Sequence, residues 1–235
     1  MNFNMNLDYF FEHIDELSFK DLFTNQSDVL EIFRNLKKYT EEKTHGIKEN
    51  KGSCAKFVSL NGNYIIGENT KISDFTTIVG PVIIGNNVKI MPGVFIRPYT
   101  IIGDDCEISH GSEIKHAIIM NKAKVASHTF VGDSIIGYKT RIGSGTILAN
   151  RRFDQGNIIL KKEDGNIDLK TDFFGSVIGD NTRLGANSTT YPGTFIGRNT
   201  WIYPNTSVKG FIPSLKRVSN VKDLYITENK EYELK

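Results

Sequence analysis

Arg97 and Lys115 are two cations that stand eighteen positions apart, and each directly follows an isoleucine. Two cations held next to each other repel, and an anion bound between or before them removes that repulsion. A sugar phosphate suits the pair, because arginine offers a planar fork of donors and lysine offers a point charge. The competing interpretation is a pair of solvated surface charges that are balanced by Glu113 or Asp104.

The spacing of the two cations equals three periods of six residues. Isoleucine recurs at every sixth position over residues 66–114, and the residue four places later is no larger than valine in all but the last repeat. The pattern continues less strictly over 119–148 and resumes over 178–208. Two steps are one residue short: Ile114 to Ile119 and Val131 to Ile136. A fixed internal period of this kind predicts the architecture of the whole chain.

The period predicts an all-β fold in which a three-sided solenoid, or prism, is built from parallel strands. Each hexad supplies one short strand and one corner, and its isoleucine points inward. Three hexads complete a coil that lies about 4.8 Å above the previous one. Arg97 and Lys115 are therefore predicted on one face, one coil apart.

The regions outside the hexads predict three further pieces. Residues 1–56 form a helical segment, in which SDVLEIFRNLKKYTEE begins with the good N-terminal residues Ser27 and Asp28. We interpret this segment as a cap or an oligomerisation element. The solenoid spans residues 57–212, and a charged tail spans 213–235.

A segment over about 151–175 interrupts the solenoid. Its centre predicts a hairpin of two strands, Ile158–Leu160 and Ile167–Leu169, around the turn EDGN. Excursions of this kind often belong to a binding face, and a tolerated surface insertion is the alternative.

The composition of the chain indicates which partners and which cellular compartment to expect. A net charge of +2 and scattered basic residues do not indicate a nucleic-acid partner. Two cysteines without a CxxC pair fit a reducing cytosol. The acidic start does not resemble a signal peptide, and no apolar run reaches the roughly 18 residues that span a bilayer. We expect a cytoplasmic protein without a membrane partner.

The hexads resemble those of the hexapeptide-repeat acyltransferases over residues 60–212, and the resemblance implies a left-handed parallel β-helix. The segments IRPYTIIGDDCEISHGSEIKHA, SHTFVGDSIIG and RIGSGTILANRRFD resemble the acetyltransferase domain of bifunctional UDP-N-acetylglucosamine-synthesising enzymes, particularly the archaeal type. The resemblance implies acetyl transfer from acetyl-CoA to the amine of glucosamine 1-phosphate. It does not extend to the uridylyltransferase domain of those enzymes.

The same resemblance implies a substrate site. It assigns Arg97 and Lys115 to the sugar phosphate, and Asn150 matches an active-site asparagine. Lys170 is placed at a loop lysine of the family. Two further substrate positions depart from the pattern, because Phe130 stands in place of a tyrosine and Arg141 in place of an asparagine.

Acyl transfer to an amine also needs a base and an acetyl-donor site. Histidine has a suitable pKa, and His128 is the candidate base, although the family histidine aligns with Ser127. An ordinary surface histidine is the alternative for His128. The resemblance places Ser144, Ala186 and Tyr203 on the acetyl-CoA side.

Three functional hypotheses follow. The leading one is a CoA-dependent acyltransferase, without a metal, that acts on an amino-sugar phosphate or a nucleotide-linked amino sugar. The second is a non-catalytic sugar-nucleotide binding module. The third is a zinc hydro-lyase of the carbonic-anhydrase type, suggested by His110, His116 and His128 at multiples of six. The resemblance also implies a homotrimer.

Overall fold

Three parallel sheets wind along the chain in the computed structural model, which describes residues 5–26, 28–160 and 165–220. We name them Sheet 1, Sheet 2 and Sheet 3 in the order in which the chain first enters them. Successive strands of the chain visit Sheet 1, Sheet 2 and Sheet 3 in turn, so each sheet gains one strand per coil. This is the parallel solenoid that the hexads predict, and the all-β prediction is confirmed.

The strands are short, two or three residues each. The nine strands of Sheet 1 are Lys48–Asn50, Tyr64–Ile66, Val82–Ile84, Thr100–Ile102, Ile118–Ile119, Ile135–Ile136, Ser176–Ile178, Thr194–Ile196 and Phe211–Ile212. The nine strands of Sheet 2 are Ser53–Cys54, Lys71–Ile72, Lys89–Ile90, Glu107–Ile108, Lys124–Val125, Arg141–Ile142, Arg183–Leu184, Trp201–Ile202 and Arg217–Val218. The eight strands of Sheet 3 are Ser59–Asn61, Thr77–Val79, Phe95–Ile96, Glu113–Lys115, Phe130–Gly132, Ile147–Leu148, Thr189–Thr190 and Ser207–Val208.

The shaft of the prism is an apolar column. The repeated isoleucines point inward and are almost fully buried, as Ile78, Ile96 and Ile114 show at 0% exposure. The small residues four places later are buried beside them, and the hydroxyl of Thr70 donates to the carbonyl oxygen of Gly85 at 2.8 Å. Burial of the isoleucines stabilises the fold, and the threonines satisfy their hydroxyls at the crowded corners.

The two short steps in the repeat occur at corners between Sheet 3 and Sheet 1. Each shortened corner contains a residue with positive φ, His116 at 45° and Asp133 at 49°. Because one residue is missing, Ala117 takes the inward small position and Ile118 turns outward. The irregularity in the sequence is therefore a pair of tightened corners.

A second apolar core lies on the outer side of Sheet 1. The N-terminal segment contains α1 (Leu7–Phe10), two 3₁₀ turns (Ile14–Glu16 and Lys20–Phe23) and α2 (Val29–Thr44). Its apolar residues pack against outward residues of Sheet 1 such as Ile118. The segment thus covers a side of the prism rather than closing an end.

The start of α2 confirms the predicted helix. Asp28 is the N-cap, and its Oδ1 accepts a hydrogen bond from Leu30 N at 2.7 Å. Ser27 lies outside the described residues. Within the described ranges, no helix is long and apolar enough to cross a membrane.

The interrupting segment forms the predicted antiparallel hairpin, with strands Ile159–Leu160 and Ile167–Asp168. Part of its turn, residues 161–164, lies outside the described residues. The hairpin does not project freely, because Ile158, Leu160 and Leu169 are buried in the second core.

The solenoid extends beyond the predicted bounds at both ends. Lys48–Asn50 already pairs in parallel with Tyr64–Ile66, so strands begin before residue 57. Arg217–Val218 pairs with Trp201–Ile202, so strands continue past residue 212. The rest of the predicted tail, residues 221–235, lies outside the described residues.

Candidate functional site

Sheet 3 places the two cations as the repeat predicts. Glu113 lies opposite Phe95 in the parallel register, and Arg97 N donates to the Ile114 carbonyl oxygen at 2.8 Å. Lys115 therefore lies next to Arg97 on the adjacent coil. Each cation has its own carboxylate. Arg97 Nη1 is 2.8 Å from Glu113 Oε1, which agrees with part of the surface-pair interpretation.

Asp133 is the buried centre of the second pair. Its side chain is 3% exposed, and its Oδ2 lies 3.2 Å from Lys115 Nζ. His116 Nδ1 lies 2.8 Å from Oδ1, and Asn150 Nδ2 donates to Oδ2. Burial opposes ionisation, but the hydrogen bonds from His116 and Asn150 and the charge of Lys115 hold the pKa of Asp133 below its usual value.

The tightened corners create this cluster. Asp133 and His116 are the positive-φ residues of successive corners, so the fold brings the carboxylate directly beside the imidazole. Sequence reasoning missed Asp133 and assigned His116 only to a zinc hypothesis. The signal that marks both residues is the pair of five-residue steps in an otherwise regular repeat.

Phe130 and Asn150 meet at Gly132. The Cβ of a residue at position 132 would lie 2.6 Å from the Phe130 ring and 2.7 Å from Asn150 Nδ2, so a side chain there would displace one or both of them. Gly132 is also the register partner of Lys115. The structure therefore brings four predicted site residues to one part of Sheet 3: Arg97, Lys115, Phe130 and Asn150.

The hairpin segment contributes an aromatic residue to this cluster. Lys115 Nζ lies 4.3 Å from the centroid of the Phe173 ring, and the Arg151 guanidinium carbon lies 4.9 Å from it. Lys170, the predicted loop lysine, is exposed three residues before Phe173, and its backbone N–H donates to Asp168 at 2.7 Å. Sequence reasoning missed Phe173, because its position depends on how the hairpin folds back.

A cavity of about 530 Å³ adjoins Asn150. It is mainly apolar and is lined by residues that include Ala149, Phe153, Tyr191 and Pro192. The Phe153 side chain is fully exposed to solvent. Arg151, Arg152 and Asp154 also line it, whereas Lys115 and Asp133 do not.

His128 lies at the other end of the same face. It precedes the strand Phe130–Gly132, whereas Asp133 follows that strand, and it is exposed with φ at 56°. Its ring contacts the His110 ring at a centroid distance of 5.0 Å, and His110 Nδ1 is 2.7 Å from the Pro92 carbonyl oxygen. Within one chain, His128 does not contact the Asp133 cluster.

The predicted acetyl-donor residues also lie at the corner between Sheet 2 and Sheet 3. Ser144 and Ala186 are exposed on successive coils, and the Ser144 carbonyl accepts from Asn187 N at 2.8 Å. Tyr203 is 41% exposed on the next coil. Arg141 is exposed on Sheet 2, opposite Arg183, so it lies on a different face from Arg97.

The three histidines of the zinc hypothesis do not converge within the chain. His110 and His128 are neighbours, whereas His116 bonds to Asp133 across another corner. Across the ranges that the structure describes, no group of three or more His, Cys, Asp or Glu side chains could hold a metal ion.

Comparison with known proteins agrees with this geometry. A model of the GMPPB C-terminal domain matches residues 78–164, and a model of the hexapeptide repeat of succinyl-transferase matches residues 176–208. The chain is a hexapeptide-repeat protein. The matched ranges contain most of both runs of hexads and the residues Lys115, His116, Asp133 and Asn150, so the resemblance predicted from sequence is confirmed.

Two curated relatives indicate the kind of hexapeptide-repeat protein. The bifunctional protein GlmU of Methanococcus aeolicus is 37% identical over 185 residues, which cover 79% of this chain and 43% of that protein. A bifunctional sugar-1-phosphate nucleotidylyltransferase/acetyltransferase of Sulfurisphaera tokodaii is 36% identical over 96 residues, which cover 41% of this chain and 24% of that protein. The chain thus spans less than half the length of either relative.

One similar solved structure is a distant match. The UDP-N-acetylglucosamine acyltransferase of Francisella novicida has a TM-score of 0.44 and 19% identity, and the match covers 79% of this chain and 69% of that one. Similarity at this level adds nothing about the ligand.

Proposed function

We propose that this protein is a CoA-dependent acyltransferase that acylates the amine of an amino-sugar phosphate or a nucleotide-linked amino sugar. The observation that carries the proposal is the cluster on Sheet 3, where Arg97 and Lys115, the predicted sugar-phosphate residues, lie near Asn150, the predicted catalytic asparagine. The relatives named GlmU and sugar-1-phosphate acetyltransferase support the same chemistry.

In this proposal the charge of Asp133 has a structural role, whereas the charge of Arg97 binds the phosphate. Asp133 holds Lys115 and Asn150 in place, while Arg97 is paired with a half-exposed carboxylate, Glu113, that a phosphate can replace. A phosphate oxygen offers the same charge-assisted hydrogen bond to the guanidinium as the carboxylate does. Acetyl-CoA is the expected donor, bound near Ser144, Ala186 and Tyr203.

His128 is the proposed general base. Histidine is the side chain that most often acts as a general base, so it suits removal of a proton from the attacking amine. Phe130 has no hydroxyl to offer the sugar, so the acceptor is expected to differ from glucosamine 1-phosphate in the group that a family tyrosine would contact.

Thiol release from acetyl-CoA in the presence of a panel of amino sugars tests the activity. The panel contains glucosamine 1-phosphate and nucleotide-linked amino sugars, with the unphosphorylated sugars as controls. We expect release only with phosphorylated acceptors. Arg97→Gln should lower kcat/KM by about 10- to 100-fold, since it removes a charge-assisted hydrogen bond. Release at the background rate with every acceptor would contradict the proposal.

Glu113→Gln is the matched control for Arg97→Gln. It removes the same surface ion pair but leaves the guanidinium free for phosphate, so activity should be kept or increased. Equal losses in the two variants would show that the ion pair itself matters, not phosphate binding.

The non-catalytic binding module remains the second candidate. The observation in its favour is that His128 does not contact the Asp133 cluster within one chain. His128→Ala distinguishes the two candidates. If the variant loses turnover but still binds the sugar phosphate, His128 is a general base. If the unaltered protein binds the sugar nucleotide tightly but shows no turnover, the protein is a binding module.

A further inference from the structure

Sheet 2 carries a cationic groove far from the Asp133 cluster. The groove consists of two adjoining cavities of about 330 and 550 Å³, which share Asn181 and Arg183 in their linings. Five of the six residues that line the first cavity are lysine or arginine: Lys122, Lys124, Lys139, Arg141 and Arg183. We call the two cavities together the Sheet 2 groove.

The charges of the Sheet 2 groove are stacked in register. Lys124 lies opposite Arg141, and Arg141 lies opposite Arg183, so cations occupy neighbouring outward positions on three successive coils. Like charges directly opposite in a sheet destabilise it. This arrangement therefore costs the fold some stability, and a bound polyanion would remove that cost.

The carboxylates that act on these cations, such as Glu16 and Asp105 beside Lys122, lie outside the lining of the groove. Among the described residues, no aspartate or glutamate lines either cavity. One ion pair reaches the groove, between Lys124 Nζ and Glu107 Oε2 at 3.4 Å. The whole protein has a net charge of only +2, so the fold has gathered onto this face cations that the sequence scatters.

An aromatic side chain lies at the far end of the Sheet 2 groove. Trp201 is 42% exposed and lies opposite both Arg183 and Arg217 in the sheet. The guanidinium carbons of these arginines are 5.9 and 4.9 Å from the centroid of a Trp201 ring. An exposed indole among arginines is a surface on which a planar base stacks.

We propose that the Sheet 2 groove binds a nucleoside polyphosphate, with its phosphates on Lys139, Arg141 and Arg183 and its base on Trp201. The distance fits, because Arg141 and Trp201 are two coils apart, about 10 Å at strand spacing. Binding of a free nucleotide is independent of the proposed acyl transfer, whereas binding of CoA rests on that proposed function. The ligand is either a free nucleotide or the phosphorylated adenosine part of a CoA thioester.

Trp201 provides the readout, because it is the only tryptophan of the chain. Its fluorescence is followed while the full chain is titrated with ATP, inorganic tripolyphosphate, adenosine or CoA at low salt. We expect saturable quenching by ATP, competition by tripolyphosphate with little quenching of its own, and no effect of adenosine. Raising the salt should weaken ATP binding strongly. Absence of saturable quenching by both ATP and CoA overturns the proposal.

Variants locate the binding. Arg141→Gln and Arg183→Gln should each weaken ATP binding about tenfold, as measured by calorimetry, because each loses a charge-assisted contact to phosphate. Lys89→Gln is the matched control, since Lys89 is also an exposed cation on Sheet 2 but does not line the groove. An equal loss in Lys89→Gln would show non-specific charge attraction and overturn the proposal.

Two further measurements separate the contribution of the base from that of the phosphates, and distinguish a free nucleotide from CoA as the ligand. Trp201→Leu should weaken ATP binding and leave tripolyphosphate binding unchanged, and equal weakening of both would remove the stacking part of the proposal. CoA that binds at least tenfold more tightly than ATP identifies the thioester carrier as the source. The reverse order identifies a free nucleotide, whatever the result of the acyl-transfer assay.

Discussion

At the scale of single residues, Asp133 decides the arrangement of the candidate site. It is buried, and its two oxygens bond to Lys115, His116 and Asn150. A carboxylate with three donors around it fixes the side chains on either side of it, so it positions two of the proposed substrate residues. Removal of its negative charge should therefore alter the geometry of the site and also lower the stability of the fold.

Asp133→Asn should lower the free energy of unfolding by about 3 kcal/mol, because it leaves the partly buried Lys115 without a counter-charge. Urea denaturation measures the change. Asp172→Asn is the control, since the Asp172 side chain is 46% exposed and lies 4.0 Å from Arg151. A loss of about 0.5 kcal/mol or less is expected there. Equal effects in the two variants would contradict the role given to Asp133.

The same residue predicts a pH dependence. The folded protein holds the pKa of Asp133 below its usual value, so its stabilising contribution is present above the unfolded pKa of about 3.9. That contribution disappears as the pH falls through the lower, folded pKa. The stability difference between the unaltered protein and Asp133→Asn should therefore be constant near neutral pH and shrink below about pH 4. Denaturation curves at several pH values test this, and a constant difference would refute it.

At the scale of elements, α2 and the hairpin meet over the candidate site. Phe33 of α2 is 6% exposed, and its ring lies 4.5 Å from the His116 ring and 5.0 Å from the Phe174 ring. His116 Nε2 is buried beneath this packing without a hydrogen-bond partner among the described residues. The N-terminal segment thus holds in place the imidazole that bonds to Asp133.

Phe33→Ala should lower the free energy of unfolding by about 3 kcal/mol, because it opens a cavity between α2, His116 and Phe174. Thermal or urea unfolding measures it. Lys38→Ala serves as the comparison on the same helix, because the Lys38 side chain is 78% exposed. Its effect should stay near 0.3 kcal/mol, and a similar loss in both variants would show that the cavity at Phe33 is not the cause.

At the scale of the whole molecule, the candidate site is divided between two corners of the prism. The proposed sugar-phosphate residues lie at the end of Sheet 3 next to Sheet 1, and the expected acetyl-donor residues lie at the corner between Sheet 2 and Sheet 3. The predicted homotrimer offers a way to join them, because the donor corner of one subunit can face the Lys115 end of the next.

Mixing two inactive variants tests this assembly. Lys115→Ala removes a substrate residue, and Ala186→Trp fills the expected donor side. In randomly mixed trimers about one quarter of the interfaces combine an intact donor corner with an intact Lys115, so activity should return to about that fraction. Light scattering should give a mass near three times 26.5 kDa. Unrestored activity in mixed trimers would place each site within one chain.

Much of this molecule could be predicted from its sequence, because a period of six depends only on neighbouring residues. The inward isoleucines, the register of Arg97 with Lys115, the helix that begins after Asp28 and the hairpin all follow from local patterns. In the solenoid these patterns follow from one packing requirement, which is that each strand buries an apolar side chain.

The tertiary structure alone decided which charges meet. Asp133 reaches Lys115 and His116 because two corners are one residue short, and Phe173 reaches Lys115 because the hairpin folds back. The cations of the Sheet 2 groove lie up to 95 positions apart in the sequence, from Lys122 to Arg217, and become neighbours only after winding. The strength of an electrostatic interaction depends on distance in space. Each coil of about eighteen residues returns the chain to the same face, so charges far apart in the sequence become neighbours.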